Sequence, residues 1–171
     1  NGRVYPDNIL KREVDNYQKL IEKGSALSEL NHPESSLVDL ERSSHRVLET
    51  WWDGNVLMGK LEILTSPAYH QTGVISCVGD IAANLLRHDV TLGISSRGVG
   101  SIKQKGNQNI VQDDFELICW DFVSNPSTHG AFMKPIQSEG IIAEGTIAQP
   151  NKSKVDKIIR DILCEMTGCC N

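Results

Sequence analysis

The stretch Gly93-Ile94-Ser95-Ser96-Arg97-Gly98-Val99-Gly100-Ser101 places three glycines, two adjacent hydroxyls and a cation within nine positions. Leu92 and Ile102 on either side are typical of strands, so we expect Ser95 to lie where a strand ends in a glycine-rich bend. A serine at such a bend, with free backbone N–H groups behind it, can combine a nucleophile with an oxyanion hole. An ordinary turn between two strands is the alternative interpretation.

The same glycines also resemble the start of a phosphate-binding loop. Gly93 and Gly98 have the required spacing, but Val99 stands where that loop needs a lysine, and no helical pattern follows. The stretch is therefore not a Walker A motif, although the glycines could still form a simpler anion-binding module.

Size and charge limit the class of protein. The chain has 171 residues, of which 39% are hydrophobic and 23% charged, and this composition predicts a folded globular domain with a sizeable core. Its net charge of −5 argues against broad nucleic-acid binding, and the sequence has no apolar run long enough to cross a bilayer. We expect neither nucleic acid nor a membrane as a direct partner.

The five cysteines, which are Cys77, Cys119, Cys164, Cys169 and Cys170, do not form a recognisable framework. Their number is odd and they contain no C-x-x-C pair, so the sequence predicts neither a disulfide scaffold nor a metal site. A reducing, cytoplasmic setting is the simplest inference. Because the chain opens on Asn1 without a methionine, we also expect a trimmed or processed fragment that lacks a preceding segment.

Apolar periodicity predicts an α+β fold with a sheet or barrel at its centre. We expect two helices in the first half, a long hairpin between them, and a β-rich region up to Val123, followed by a linker and a helical tail. The predicted elements are a helix from Asp7 to Gly24, strands at His45–Trp52 and Val56–Leu64 around an Asp53-Gly54-Asn55 turn, a loop at Tyr69–Gly73, a helix from Val78 to His88, strands within Ile110–Val123, a linker from Lys134 to Ser153, and a helix from Lys154 to Met166.

Two further residues have the chemistry of an active site. His32 lies between Asn31 and Pro33, and the proline favours an extended backbone at the histidine, which could act as a general base because imidazole titrates near neutral pH. Asp121 stands inside an apolar run, where a carboxylate is costly to bury unless it has a partner such as a histidine. A surface histidine and an outward-facing aspartate are the alternatives.

The order of five motifs along the chain resembles the prohead core serine proteases of T-even-type and other large tailed phages. The resemblance extends from about Arg3 to Met133 and rests on Arg3-Val4-Tyr5-Pro6, Glu29-Leu30-Asn31-His32-Pro33, Trp51-Trp52-Asp53-Gly54-Asn55, the Gly93–Ser101 stretch, and Asp121 ahead of Ser124-Asn125-Pro126-Ser127. It implies a protease domain over residues 1–133, a β-barrel core flanked by helices, and a fold related to the herpesvirus assembly proteases.

The resemblance also implies roles for individual residues. Ser95 corresponds to the nucleophile and His32 to the general base, and Asp121 is our choice for the third member of the triad, with His45 and Asp39 as alternatives. Ser96, Arg97 and Gly98 would form the oxyanion or substrate loop, in which Arg97 either fixes the loop or contacts substrate. The mechanism needs no cofactor or metal.

The family resemblance further suggests the substrates and the place of action. It implies cleavage of phage scaffold and capsid proteins after glutamate in a Leu/Ile-x-Glu context, inside the prohead in the host cytoplasm. Ile142-Ala143-Glu144-Gly145 fits that pattern, so we expect self-cleavage between Glu144 and Gly145, which would release residues 145–171. The oligomeric state is left open, with a homo-oligomer as one option.

A non-catalytic capsid-assembly or tube-like structural protein with the same fold is the competing prediction. The geometry of Ser95 and His32 distinguishes the two, because an enzyme needs the hydroxyl and the imidazole near hydrogen-bond reach of each other.

Overall fold

The computed structural model describes residues 3–134, 136, 159–161 and 164–165. The described residues form three α-helices, a short 3₁₀ turn at Leu40–Arg42, and ten strands. The helices are α1 (Asp7–Glu22), α2 (Pro67–Thr72) and α3 (Val78–Arg87). The strands are β1 (Arg3–Val4), β2 (Leu27–Glu29), β3 (Ser43–Asp53), β4 (Val56–Ile63), β5 (Gly93–Val99), β6 (Ile102–Lys105), β7 (Gln108–Val111), β8 (Glu116–Val123), β9 (Ile159–Asp161) and β10 (Cys164–Glu165).

The first helix follows the predicted apolar rhythm. Leu10, Val14 and Tyr17 recur at helical spacing and are all buried, so α1 packs one face on the core. Gly24 adopts a φ of 70° just beyond the helix, a conformation that glycine takes without strain. The prediction of this helix is confirmed.

The β3–β4 hairpin is also confirmed. Its register pairs Trp52 with Leu57 and Asp53 with Val56, which leaves Gly54 and Asn55 as a two-residue loop. Gly54 has the positive φ of 59° that such tight loops require. β2 pairs with the other edge of β3, so the segment that carries His32 begins at the edge of this sheet.

The loop predicted at Tyr69–Gly73 is wrong. The structure has α2 there, preceded by Ser66, whose hydroxyl accepts a hydrogen bond from the Tyr69 N–H, and opened by Pro67. Serine followed by proline is a helix-start signal, whereas the sequence interpretation assigned it to the end of a strand. α3 follows at Val78–Arg87, as predicted.

The mixed α+β class is confirmed, but the predicted closed barrel is wrong for the part of the chain that the structure describes. The strands there form three sheets, ordered β1-β7-β6, β10-β4-β3-β2 with β9 also on β4, and β5-β8. Closure would need continuous ladders between them, yet a single bridge between Leu30 and Phe122 joins the segment after β2 to β8. Packing, rather than hydrogen bonding around a barrel, holds the sheets together.

The predicted C-terminal helix also differs from what the structure shows. Within Lys154–Met166, the described residues are strands: β9 pairs antiparallel with Lys60–Glu62, and β10 with Val56–Leu57. β4 offers a sheet edge, whose unpaired backbone groups favour added strands over an isolated helix. Most of the predicted linker, including Glu144 and Gly145, lies outside the described residues.

One hydrophobic core joins the hairpin, the helices and the β5–β8 pair. Its fully buried members come from every one of these elements and include Tyr17, Val47, Leu61, Tyr69, Ala82, Ile94, Trp120 and Phe122. The shared core fixes β5 and β8 against β2, and this contact positions the candidate site. None of the described helices has an apolar stretch long enough to span a membrane.

Candidate active site

Ser95 lies inside a strand and not at the bend that the sequence predicted. β5 runs through Ser95 to Val99, and a bulge interrupts its pairing with β8 only between Arg97 and Gly98. The glycines allow close packing: a Cβ on Gly98 would come within 2.5 Å of the Phe115 ring. The glycines therefore keep β5 against its neighbours instead of ending it.

Asp121 is the residue directly opposite Ser95 on β8. Side chains of directly opposed residues in an antiparallel pair lie on the same face, with Cβ atoms about 5 Å apart. Asp121 is fully buried, whereas Ser95 is half-buried. The aspartate thus faces inward beside the serine, and the outward-facing alternative does not hold.

The backbone before His32 carries its ring to Asp121. Asn31 takes a φ of 68° and donates its N–H to the carbonyl of Phe122 at 2.8 Å, so this segment is attached to β8 one residue beyond Asp121. His32 Nδ1 lies 3.1 Å from Asp121 Oδ2, and the His32 side chain is 41% exposed. An ionised carboxylate only accepts hydrogen bonds, so Nδ1 carries the proton and Nε2 is left as the free nitrogen.

The hydroxyl of Ser95 has no side-chain hydrogen bond to any described residue, and His32 bonds through its ring to Asp121 alone within the same part of the chain. The structure therefore brings all three predicted residues to one place, with the His32–Asp121 link formed and the Ser95–His32 link not formed. Catalytic hydrogen bonds are often long or absent before substrate binds.

Arg97 is buried, with its side chain only 4% exposed, behind the serine rather than in an open loop. Its Nε lies 2.9 Å from Asp121 Oδ2 and its Nη2 lies 2.8 Å from Glu29 Oε1. Nη1 donates to the carbonyls of Ser35 and Leu37 at 3.1 and 3.4 Å. Of the two roles that the sequence left open, this geometry favours fixing a loop, and the loop is the one that follows His32.

Two residues of the site were not identified from the sequence. Glu29 accepts from Arg97 and from the Asp39 N–H at 2.9 Å, and its own N–H donates to Asp121 Oδ1 at 3.0 Å. Cys119 places its Sγ 3.2 Å from Asp121 Oδ1, and burial raises the pKa of this thiol, which therefore stays protonated. The available signal for Glu29 was its place in the Glu29-Leu30-Asn31-His32-Pro33 motif, three residues before His32.

Burial and hydrogen bonding act in opposite directions on Asp121. Burial is the largest effect and leaves the pKa of the Asp121 carboxyl raised, while donors from Glu29 and Cys119 and the positive charge of Arg97 act to lower it. The guanidinium contacts both carboxylate oxygens, the second at 3.3 Å. This arrangement supplies the charge partner without which a buried carboxylate would not remain ionised.

The two alternatives for the third member of the triad, His45 and Asp39, have other hydrogen-bond partners. Both ring nitrogens of His45 are occupied, since Nε2 donates to the Trp120 carbonyl and Nδ1 accepts from Ser44 Oγ, each at 2.8 Å. Burial lowers the pKa of His45 to about 3, so the ring is neutral. Asp39 accepts from the Glu41 N–H at 2.9 Å and caps the 3₁₀ turn.

The predicted oxyanion loop can be judged by the direction of its N–H groups. Ile94 donates its N–H to the Ala131 carbonyl at 2.8 Å, on the side of β5 away from β8. N–H directions alternate along an antiparallel strand, so the Ser96 N–H points to the same side, whereas those of Ser95 and Arg97 point to β8. Among the described residues, pairing on that side of β5 ends with the Gly93–Phe132 bridge and the Ile94 N–H, so Ser96 presents a donor at an open edge next to Ser95.

No group of three or more His, Cys, Asp or Glu side chains is placed to hold a metal ion among the residues that the structure describes.

Comparison with known proteins places this chain in a family. The sequence profile described as prohead core protein serine protease matches residues 1–141. The prohead core protein protease of Enterobacteria phage T4 is 32% identical over 160 residues, which cover 91% of this chain and 69% of that protein. The structure of the bacteriophage T4 capsid assembly protease matches with a TM-score of 0.66 and 29% identity over 74% of each chain.

The sequence match covers every residue of the site described above, and the structural match agrees with it in fold. Both relatives are phage T4 proteases, one named for the prohead core and the other for capsid assembly. On the strength of the matched profile and the shared fold, the chain belongs to the prohead core protein serine protease family.

Proposed function

We propose that this protein is a serine endopeptidase that cleaves phage scaffold and capsid proteins inside the prohead, in the host cytoplasm. One observation carries the proposal: Asp121 bonds to His32 at 3.1 Å and is the cross-strand partner of Ser95. A hydroxyl, an imidazole and a buried carboxylate from three separate segments thus meet on one face of the β5–β8 pair, as the serine mechanism requires.

The proposed chemistry follows from the protonation of His32. Asp121 holds the proton on Nδ1, so Nε2 is the nitrogen that takes the proton from Ser95 as its hydroxyl attacks the substrate carbonyl. The negative charge of Asp121 then stabilises the imidazolium that forms. His32 returns the proton to the leaving amine, and water repeats the sequence to release the acyl group.

The Ser96 N–H is the proposed oxyanion donor. It points to the open edge of β5 beside the nucleophile, and removal of one such donor costs on the order of 10²-fold in rate in serine proteases. An extended peptide approaching that edge would place its carbonyl between the Ser95 hydroxyl and this N–H. The mechanism uses only groups of the protein and needs no cofactor.

Substrate preference and self-cleavage are part of the same proposal. We infer cleavage after glutamate in a Leu/Ile-x-Glu context, with Glu144–Gly145 as the self-cleavage site. A fold relationship to the herpesvirus assembly proteases, which the motifs suggested, also stays a prediction.

The test compares Ser95→Ala with Ser96→Ala on a fluorogenic peptide that contains Ile-Ala-Glu-Gly. Removal of the nucleophile is expected to lower kcat by about 10³-fold or more, because the triad acts as a unit. Ser96→Ala keeps the backbone donor and is expected to stay within about 10-fold of the parent, well above the Ser95→Ala value.

The same pair of variants also reports on self-cleavage. The intact mass of the parent is expected to fall by residues 145–171, while Ser95→Ala retains them. If both variants cleave like the parent, or if the parent cleaves neither peptide nor itself, the peptidase assignment fails. The latter outcome would favour the non-catalytic assembly protein, with which the unformed Ser95–His32 hydrogen bond is also compatible.

A further inference from the structure

We propose that Glu29 and Arg97 are positioning residues. Together they set the orientation of the Asp121 carboxylate and the net charge of the buried cluster behind His32. The inference rests on the proposed serine peptidase and assigns roles within its site to two residues that do not touch substrate.

The contacts fix the Asp121 carboxylate on both oxygens. Oδ1 accepts from the Glu29 N–H at 3.0 Å, from the Cys119 thiol at 3.2 Å and from Arg97 Nη2 at 3.3 Å. Oδ2 receives Arg97 Nε at 2.9 Å and His32 Nδ1 at 3.1 Å. Because Oδ1 is occupied by three donors, the carboxylate cannot rotate without breaking them, and Oδ2 is held toward His32.

Glu29 in turn holds Arg97. Its Oε1 accepts from Nη2 at 2.8 Å, and a guanidinium bound at two sites presents its remaining donors in a fixed plane. The carboxylate of Glu29 is nearly fully buried, so this is not a solvent-screened surface pair. Breaking a buried pair by removing one partner leaves an uncompensated charge, which makes each member sensitive to the other.

The buried part of the cluster carries an excess of negative charge beside His32. Two buried carboxylates, Glu29 and Asp121, face one buried guanidinium, Arg97. Arg42 formally balances this charge, with its Nε 3.6 Å from Glu29 Oε2, but its side chain is 54% exposed and solvent screens it. The other titratable groups close to the cluster, Cys119 on β8 and Tyr17 on α1, are neutral because burial raises the pKa of each. The excess favours the imidazolium that forms when His32 takes the Ser95 proton.

Arg97 also restrains the loop that follows the histidine. Its Nη1 holds the carbonyls of Ser35 and Leu37, in the loop that follows His32-Pro33. One guanidinium therefore restrains both the carboxylate that orients the imidazole and the loop from which the imidazole extends.

The experiment measures kcat, KM and the pH dependence of kcat/KM for Glu29→Gln, Arg97→Met and Arg97→Lys in the full chain. Removal of the negative charge at Glu29 is expected to move the acid limb to lower pH, and removal of the positive charge at Arg97 to move it to higher pH, each by about 0.5 unit or more. Arg97→Lys keeps the charge but loses the planar fork, so its acid limb stays in place.

For all three variants we expect kcat to fall by about 10-fold or more while KM changes little, because none of the altered groups touches substrate. Arg46→Lys, in the half-exposed Arg46–Glu62 pair of the hairpin, is the matched control and is expected to behave like the parent. Circular dichroism and urea unfolding establish which variants fold. If Arg97→Met does not fold, Glu29→Gln and Arg97→Lys still test the proposal.

A second readout does not depend on proteolysis. Titration of the His32 imidazole by NMR in the Ser95→Ala background is expected to shift to lower pH with Glu29→Gln and to higher pH with Arg97→Met. Shifts of the same sign, or none in folded variants, would overturn the positioning role. Inactivity of the parent protein would overturn the proposed function instead, and the two failures are therefore distinguishable.

Discussion

At the scale of single residues, the buried carboxylate decides which histidine can act. Asp121 contacts His32, whereas His45 is engaged by Ser44 and Trp120 and is neutral, so we assign the proposed proton transfer to His32. The neighbours of Asp121 also explain why a costly buried charge is tolerated beside Ser95. Each donor removes part of the desolvation cost, and the guanidinium supplies the opposite charge.

The first residue-scale prediction concerns Asp121→Asn. The amide cannot hold the Nδ1 proton as a carboxylate does, so His32 adopts the wrong tautomer and kcat falls by about 10³- to 10⁴-fold. Steady-state kinetics on the Ile-Ala-Glu-Gly peptide measure the change. Asp39→Asn is the control because Asp39 only caps a turn, and it is expected to stay within a few-fold of the parent. The reverse ranking of the two variants would remove Asp121 from the triad.

Sequence patterns identified the proposed catalytic residues but not their supporting contacts. Ser95 stands out by its glycine-rich stretch, His32 by the proline that follows it, and Asp121 by its apolar neighbours. Glu29 does not, since a glutamate in a short strand is ordinary at the surface. The burial of Arg97 depends on partners 68 and 24 positions away along the chain, and local periodicity contains no information on such pairs.

At the scale of elements, a second buried aspartate joins the two short helices. Asp80 in the first turn of α3 accepts hydrogen bonds from the Ser66 N–H and hydroxyl at 2.7 and 2.8 Å, and from the N–H groups of Ser76 and Cys77 at 2.8 and 3.1 Å. Burial raises its pKa, but the backbone donors from Ser66 and Ser76 outweigh that effect and lower the pKa of Asp80 to about 2. These hydrogen bonds to Asp80 hold the start of α2 against the start of α3.

The second prediction, at this scale, is that Asp80→Asn lowers the free energy of unfolding at pH 7 by about 1.5–3 kcal/mol, because hydrogen bonds to a buried charge are lost. Urea unfolding at pH 7 measures this loss in the free energy of unfolding. The pKa is depressed on folding, so this stability is present above about pH 4 and is lost as the pH falls toward 2. Asp114→Asn is the control: Asp114 also accepts from a serine, Ser101, but it is solvent-exposed, and we expect a much smaller loss than for Asp80→Asn. Equal losses in the two variants would contradict the role assigned to Asp80.

At the scale of the whole molecule, the elements were easier to predict than their arrangement. The hairpin and the helices α1 and α3 follow from local periodicity and turn residues, because their bonds are short-range. The barrel was wrong because closure depends on which distant strands pair, and the sequence gives no register between β2 and β8 or between β7 and β8. The inward position of Asp121 follows from its pairing with Ser95 on β5 and its contacts with Glu29 and Arg97, and not from the alternation of β8 alone.

The last prediction concerns the acid stability of the entire fold. His45 is fully buried against Phe122, and burial lowers its pKa to about 3, below the value of about 6.5 for a histidine in the unfolded chain. Between these pH values the unfolded chain binds a proton that the folded protein does not bind. The free energy of unfolding must therefore fall as the pH drops below about 6.5. The slope is about 1.4 kcal/mol per pH unit, or about 2 kcal/mol lost by pH 5.

Urea unfolding between pH 8 and pH 5 measures this loss, and His45→Gln is the informative variant. Glutamine can still donate to the Trp120 carbonyl but does not titrate, so the variant is expected to be less stable at pH 8 and nearly independent of pH down to 5. His129→Gln, at an exposed histidine, should keep the slope of the parent. A parent slope that survives in His45→Gln would place the acid sensitivity elsewhere. It would also remove the evidence that the ring stays neutral, which is the reason that His45 cannot share the proton chemistry of His32.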